Sequence, residues 1–405
     1  MTTSGRIRRT GVLVVGASVS GLNTVEALRR SGFRDRITVV GDEPHLPYDR
    51  PPLSKQILSG AWRPERTLLR APRVLADLNI DLLLGHRALS LDPSTRTVLT
   101  TSGPITADAV VIATGATPRA LPVPDGTSGV HVLRTLDDSL ALRDEFAANP
   151  RVVVVGEGVL GAEISATARQ SGLDVTMTGP LHAPMAAQLG DLVATQLADL
   201  HTRHGVALRL GVGVQRILGE NGRVSGVRLE NSQILPASVV VVAIGAIPAT
   251  DWLTDSGLSL DRGVVCDATC RAADGIYAVG DVARWPGNDV NSTVRLENRT
   301  HAAEQAAVVA ANILGAEDVY RPIPYFWTDQ YEVKIQVHGT ITPDARATVV
   351  DGDPAQGRFL VRYEREGVPT AVLGWNMPKQ ARMQRRILVD AQSAPGPALT
   401  SAHSS

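Results

Sequence analysis

The sequence predicts an α/β protein with two tandem Rossmann-like dinucleotide-binding domains followed by a smaller C-terminal α+β domain. Three observations predict it. A short apolar run that turns on glycines into a helix-like segment occurs twice, and each copy closes on a second apolar run ending in Gly-Ala-x-Pro. Beyond residue 320 the pattern changes to short alternating strands and a last helix. A length of 405 residues suits two or three domains rather than one core.

In the first unit, the basic cluster Arg6-Ile7-Arg8-Arg9 runs straight into the strand Val12–Val15, without the apolar core and cleavage site of a signal peptide. The glycine run Gly16-Ala17-Ser18-Val19-Ser20-Gly21 and a helix over Leu22–Arg30 follow. In the second, Val152–Val155 leads through Gly156-Glu157-Gly158-Val159-Leu160-Gly161 into a helix over Ala162–Gln170. Apolar runs of four or five residues bounded by glycine are the pattern of strands buried on both faces. The closing runs Val110–Ala113 and Val240–Ile244 read the same way, before Thr114-Gly115 and Gly245. Gly275–Asp281 is a further buried strand ending in a Gly-Asp turn, and a helix from about Thr300 to Leu314 is closed by Gly315. Short strands are expected over 332–338, 358–363 and 371–373, and the Ser-, Ala- and Pro-rich residues 391–405 are expected to be disordered.

A strand turning on glycines into a helix aims backbone N–H groups and the positive helix end at a pyrophosphate. One such pattern is weak evidence; two, each after a strand and before a helix, point to two dinucleotides. Ser18 replaces the middle glycine of the first and is small enough for close approach. The acid that holds the adenosine ribose belongs at the end of the next strand, about 20 residues on. Ile37–Gly41 supplies it with Asp42 and Glu43, whereas Val175–Thr178 leads to Gly179 and no acid. There, either backbone groups and Thr178 suffice, or discrimination between NADH and NADPH is weakened, or the nicotinamide site is degraded.

Composition sets limits. Hydrophobic residues are 43% and charged residues 20%, as in soluble enzymes, and a net charge of −1 excludes a globally basic nucleic-acid binder. No run of roughly 18 apolar residues is present, so no membrane span and a cytoplasmic location are expected. Two cysteines are too few for a disulfide framework, and no metal-ligand spacing appears. Lysine occurs only at 55, 334 and 379, which singles out Lys55.

The segment Gly41-Asp42-Glu43-Pro44-His45-Leu46-Pro47-Tyr48-Asp49-Arg50-Pro51-Pro52-Leu53-Ser54-Lys55 resembles the FAD-dependent ferredoxin reductases that serve bacterial monooxygenases and dioxygenases, the putidaredoxin reductase-like family of the glutathione-reductase superfamily. The likeness continues through Ala113-Thr114-Gly115, Leu133-Arg134-Thr135, Gly280-Asp281 and Phe326-Trp327-Thr328-Asp329-Gln330-Tyr331, and covers nearly the whole chain. It implies a discontinuous FAD domain (7–117 and 246–320), an NAD(P)H domain (118–245) and a C-terminal domain (321–390).

The resemblance also implies roles. Lys55, near flavin N5, would pair with Glu163 across the nicotinamide pocket. Arg50 and Arg134 would face the polar backbone of FAD, Asp281 its ribityl and phosphate region, with Gly16, Ser18, Ser20, Gly21, Ala88, Thr114, Gly115 and Gly280 around it. Gly156, Gly158, Val159, Leu160, Gly161 and Gly245 would serve the nicotinamide dinucleotide, NADH being slightly preferred to NADPH. Trp327 would pack by the flavin, and the helix near Thr300 would point its N-terminus at the ring.

Two residues depart from the family. Val159 stands where it often has an aromatic, and Arg299 where it usually has Trp or Val. Arg299 either adds positive charge beside the flavin or points to solvent. The Cys-x4-Cys pair of the superfamily's disulfide reductases is missing from 50–56, and Cys266 and Cys270 lie elsewhere. Electrons are therefore expected to leave from the flavin to a ferredoxin-type iron–sulfur protein, docked on Arg63, Arg66, Arg70 and Arg73 or on Arg382, Arg385 and Arg386 of a monomer or homodimer. An NAD(P)H oxidase and a redox-responsive flavoprotein resembling apoptosis-inducing factor are the alternatives.

Overall fold

Val12, Leu13, Val14 and Val15 are all buried because the strand Arg8–Val15 lies inside a parallel sheet, with Ile37–Gly41 on one side and Gly103–Ile112 on the other. That placement explains the unbroken apolar run. The computed structural model describes residues 8–287 and 293–393. Its helices are α1 (Val19–Arg30), α2 (Pro72–Asp77), α3 (Leu136–Phe146), α4 (Val159–Gln170), α5 (Ala186–Arg203), α6 (Arg299–Ile313) and α7 (Pro378–Ser393). Both glycine-loop helices begin earlier than the expected Leu22 and Ala162, because the loop residues are already their first turns.

The first sheet draws strands from distant parts of the chain, in the order 271–273, 276–278, 103–112, 8–15, 37–41 and 81–84, with a hairpin of 88–92 and 97–100 joined to 103–112. The second is all parallel, in the order 207–210, 174–179, 151–155, 239–242 and 130–131. Registers match between the two: Val15 pairs with Val40 and Ile112, and Val155 with Thr178 and Val242. The repeat in sequence is therefore a repeat in space. A short antiparallel ribbon, Ala116–Pro118 against Ala246–Pro248, joins the two units.

The C-terminal unit is a five-stranded antiparallel sheet in the order 325–330, 333–339, 368–375, 358–365 and 346–353, with α7 packed on it. Two of these strands were not expected. Arg346–Asp353 is a half-exposed edge with no buried residue, so it carries no apolar alternation to read. Tyr325–Gln330 has Thr328 and Gln330 as its buried residues, a polar inward face. The tail expected from residue 391 is still helical to Ser393, and its remainder, like Arg6 and Ile7 of the basic cluster, lies outside the described residues.

Candidate active site

Both glycine loops are built for backbone to approach a ligand. Gly16 (φ 121°) and Gly156 (φ 118°) have left-handed backbones, and a Cβ on either would collide with a carbonyl oxygen, that of Ala113 or Ala243. A Cβ on Gly21 or Gly161 would strike the Gly16 or Gly156 carbonyl in the same way. Gly280 (φ 78°) sits against Ser20 Oγ, and its N–H donates to Gln305 Oε1 at 2.7 Å. These cradles fit dinucleotide phosphates.

Two adjoining cavities follow from them. One, of about 400 Å³, runs from Gly16 and Ser18 past Asp42, Glu43 and Ala88 to Thr114. The other, of about 800 Å³, reaches from Ser18, Ser20 and Gly115 to Lys55, Glu163 and Trp327, with Gly158, Val159, Leu160 and Gly245 on its far wall. Arg50, Thr114 and Arg134 line both, so the two form a continuous trough.

An ion-pair chain forms the polar wall of the trough. Arg50 donates to Glu43 Oε1 (2.6 Å), to Tyr48 Oη (3.1 Å) and to the Arg134 carbonyl (2.5 Å). The Tyr48 hydroxyl donates to Glu43 Oε2 and accepts from the Leu136 N–H. Both Glu43 oxygens are thus taken up with Arg50 and Tyr48, and of the two expected ribose acids Asp42 keeps the more open carboxylate, 3.9 Å from Arg87. Burial alone would lower the Arg50 guanidinium, but Tyr48 and Glu43 outweigh it and hold it above its usual range. Arg134 lies 3.6 Å from Asp281. Burial pushes the Asp281 carboxyl up and Arg134 opposes that rise; burial and Arg50 lower Arg134. Asp138, in the capping box of α3, accepts from the Arg134 and Thr135 N–H groups (2.9 and 2.7 Å) and fixes this turn.

At the other end, Lys55 Nζ is 2.7 Å from Glu163 Oε2, and Ser54 Oγ donates to the same oxygen at 2.5 Å. Thr328 donates to Glu163 Oε1 at 2.8 Å, and Gln330 in turn to Thr328 at 3.1 Å. Three units of the fold meet here: the π-helical turn Leu53–Ile57, α4 and the strand Tyr325–Gln330. Thr167 also donates to the Ser54 carbonyl (2.7 Å), tying α4 to that turn. Ser54, Thr328 and Gln330 stood inside the motifs that carry the resemblance, but nothing in the sequence assigned them to Glu163.

The remaining candidates divide. Trp327 is half-buried in the cavity wall and stacks on Tyr325 (5.9 Å). Arg299 lines the cavity as the first residue of α6, and its guanidinium is neutralised by Asp49 at 2.6 Å. Asn298 caps that helix, accepting from the His301 N–H at 2.8 Å, so the helix starts at the cavity edge. In the second unit a Cβ on Gly179 would fall on Glu157 Oε2, while Glu157 Oε1 accepts from the Leu181 N–H at 3.0 Å. Cys266 and Cys270 are buried in the first unit's core, and burial raises both thiols, Cys270 to about 12, which makes them poor nucleophiles.

Comparisons with known proteins agree with this geometry. The family model for pyridine nucleotide-disulphide oxidoreductases matches residues 10–306, and the reductase C-terminal model matches 325–404. Rhodocoxin reductase of Rhodococcus erythropolis is 36% identical, covering 93% of this chain and 89% of its own. The benzene 1,2-dioxygenase system ferredoxin–NAD(+) reductase subunit of Pseudomonas putida is 35% identical over 94% and 92%. The covalent putidaredoxin reductase–putidaredoxin complex superposes with a TM-score of 0.89 at 32% identity, covering 94% of this chain and 93% of that one. Two matched cradles, a trough between them and likeness along the whole length place the chain in the pyridine nucleotide-disulphide oxidoreductase family and, within it, in the putidaredoxin reductase-like group.

Proposed function

We propose that the chain is an FAD-containing NAD(P)H:ferredoxin oxidoreductase serving a monooxygenase or dioxygenase. The observation that carries this reading is the Lys55–Glu163 pair, set in the cavity between two separate dinucleotide cradles. Bound FAD supplies the chemistry that accepts a hydride and releases electrons one at a time. Asp42 would hold its adenosine ribose, Arg50 and Arg134 its polar backbone, and Asp281 its ribityl and phosphate region along the trough. Lys55 presents a cation where electron density arrives, and Glu163, held through both oxygens, keeps that cation in place. The N-terminus of α6 adds its positive end at the same cavity.

A ferredoxin-type protein is the acceptor, and the buried cysteines leave the flavin itself as the point of exit. For docking, Arg63 and Arg73 are exposed, while Arg66 stacks on Trp62 (4.2 Å) and Arg70 pairs with Glu26 (2.6 Å). Arg382 and Arg386 are exposed on α7 and form the second positive face. No helix among the described residues is long and apolar enough to cross a membrane.

The test is NADH oxidation in air with and without a 2Fe–2S ferredoxin. An increase of about tenfold or more on adding ferredoxin supports a reductase, since specific docking controls the transfer rate. Fast turnover with oxygen alone, indifferent to ferredoxin, would instead identify an oxidase.

A further inference from the structure

The second nucleotide unit lacks an acid at the end of its ribose-facing strand, yet the structure has a carboxylate there. Equivalent positions of the two units make the comparison. In the first, a Cβ on Gly41 would press on the methyl of Ala17, 2.7 Å away, and would meet Leu84 at 3.4 Å, and Asp42 and Glu43 follow. In the second, the residue matching Ala17 is Glu157, and Gly179 is followed by Pro180, Leu181 and His182. The Glu157 side chain reaches across the end of the strand Asp174–Gly179 and occupies the position of a Gly179 Cβ, so any side chain at 179 would displace it. Glutamate at 157 and glycine at 179 are therefore sterically matched.

Glu157 as a whole is buried, 5% exposed. The Leu181 N–H orients one oxygen, and the other, Oε2, has no protein donor among the described residues. A carboxylate oxygen with no protein donor is suited to a hydroxyl that arrives with a ligand. His182, the basic group on the same loop, lies 3.1 Å from Asp191.

We propose that Glu157 takes the place of the missing strand-end acid, accepting hydrogen bonds from the adenosine ribose hydroxyls of NADH and repelling the 2′-phosphate of NADPH. This rests on the reductase reading, and makes NADH its donor. The nucleotide site is then re-wired rather than degraded, its carboxylate coming from the glycine loop instead of the strand.

Equilibrium titration of the oxidised holoenzyme with NAD⁺ and with NADP⁺, read by heat or flavin absorbance, tests it without turnover. Wild type should bind NAD⁺ at least about tenfold more tightly than NADP⁺, the scale of one charge-assisted hydrogen bond pair. Glu157→Gln, which keeps the bond from Leu181, should cut that ratio by about tenfold through loss of charge. Glu157→Ala combined with Gly179→Glu should restore the NAD⁺ preference by moving the acid to the strand end. An unchanged ratio in Glu157→Gln, or a wild type that prefers NADP⁺, overturns the inference. A wild type that binds neither nucleotide overturns the donor reading with it, whereas intact NAD⁺ selectivity without ferredoxin reduction counts against the function alone.

Discussion

Glu163 accepts hydrogen bonds on both oxygens, from Lys55 and Ser54 on one and Thr328 on the other. A carboxylate held this way fixes the ammonium beside it, so replacing it should slow flavin reduction without loosening FAD. Glu163→Gln is expected to lower the rate of flavin reduction by NADH by about tenfold to a hundredfold, with the flavin content unchanged. Stopped-flow absorbance of the flavin checks this. Thr328→Val should produce a smaller loss in the same direction, since it frees only one oxygen. Arg299 behaves differently. Paired with Asp49, it presents a compensated charge to the cavity, so Arg299→Val, which leaves the Asp49 carboxylate unopposed, is expected to lower the flavin potential, whereas Asp49→Asn should raise it. At this scale the sequence was partly legible. Lys55 and Glu163 were singled out together, but Ser54, Thr328 and Glu157 were not, because a hydrogen-bond partner brought from another domain leaves no mark in local pattern. Glu157 in particular occupies the variable position of a glycine run, where a side chain ordinarily carries no message.

The two strand–loop–helix units are the elements that position everything else, and they were the most readable part of the chain. Their strands are buried on both faces and write continuous apolar runs, and their glycines are required by backbone contacts. The same equivalence makes them separable. Gly16→Ala should give a protein that purifies without flavin, because the Cβ collides with the Ala113 carbonyl in the FAD cradle. Gly156→Ala should retain flavin and lose reduction by NADH. Flavin absorbance of each purified variant, before and after NADH, distinguishes them. The polar strand Tyr325–Gln330 and the exposed edge Arg346–Asp353 were harder to read, since neither has an apolar alternation. The former is anchored by a buried histidine on α5, with His201 Nε2 lying 2.8 Å from Gln330 Oε1. Burial lowers His201 to about 4, so the folded state resists its protonation. Its contribution to stability is present above pH 6.5 and is lost as the pH falls from 6.5 towards 4, by on the order of 3 kcal/mol. His201→Gln should flatten the fall in Tm across that window, and His301, lowered by burial to about 3, should account for part of the remainder.

Over the whole molecule the fold brings three units to one cavity: the two glycine-loop units and the C-terminal sheet that carries Trp327. If the acceptor docks on the arginine faces, replacing Arg382 and Arg386 with glutamine, or Arg63 and Arg73, should weaken ferredoxin reduction and lessen its dependence on salt. Reduction by NADH in the same variants should be unaffected, because both faces lie outside the cavity wall. Sequential anaerobic rapid mixing follows the passage of electrons from nicotinamide through flavin to an iron–sulfur protein. The protein is first mixed with one equivalent of NADH and then with oxidised 2Fe–2S ferredoxin, with flavin and cluster absorbance followed separately. Rapid bleaching of the flavin is expected, followed by its recovery as two equivalents of ferredoxin are reduced. A flavin that bleaches with NADH and then stays reduced in the presence of ferredoxin would contradict it.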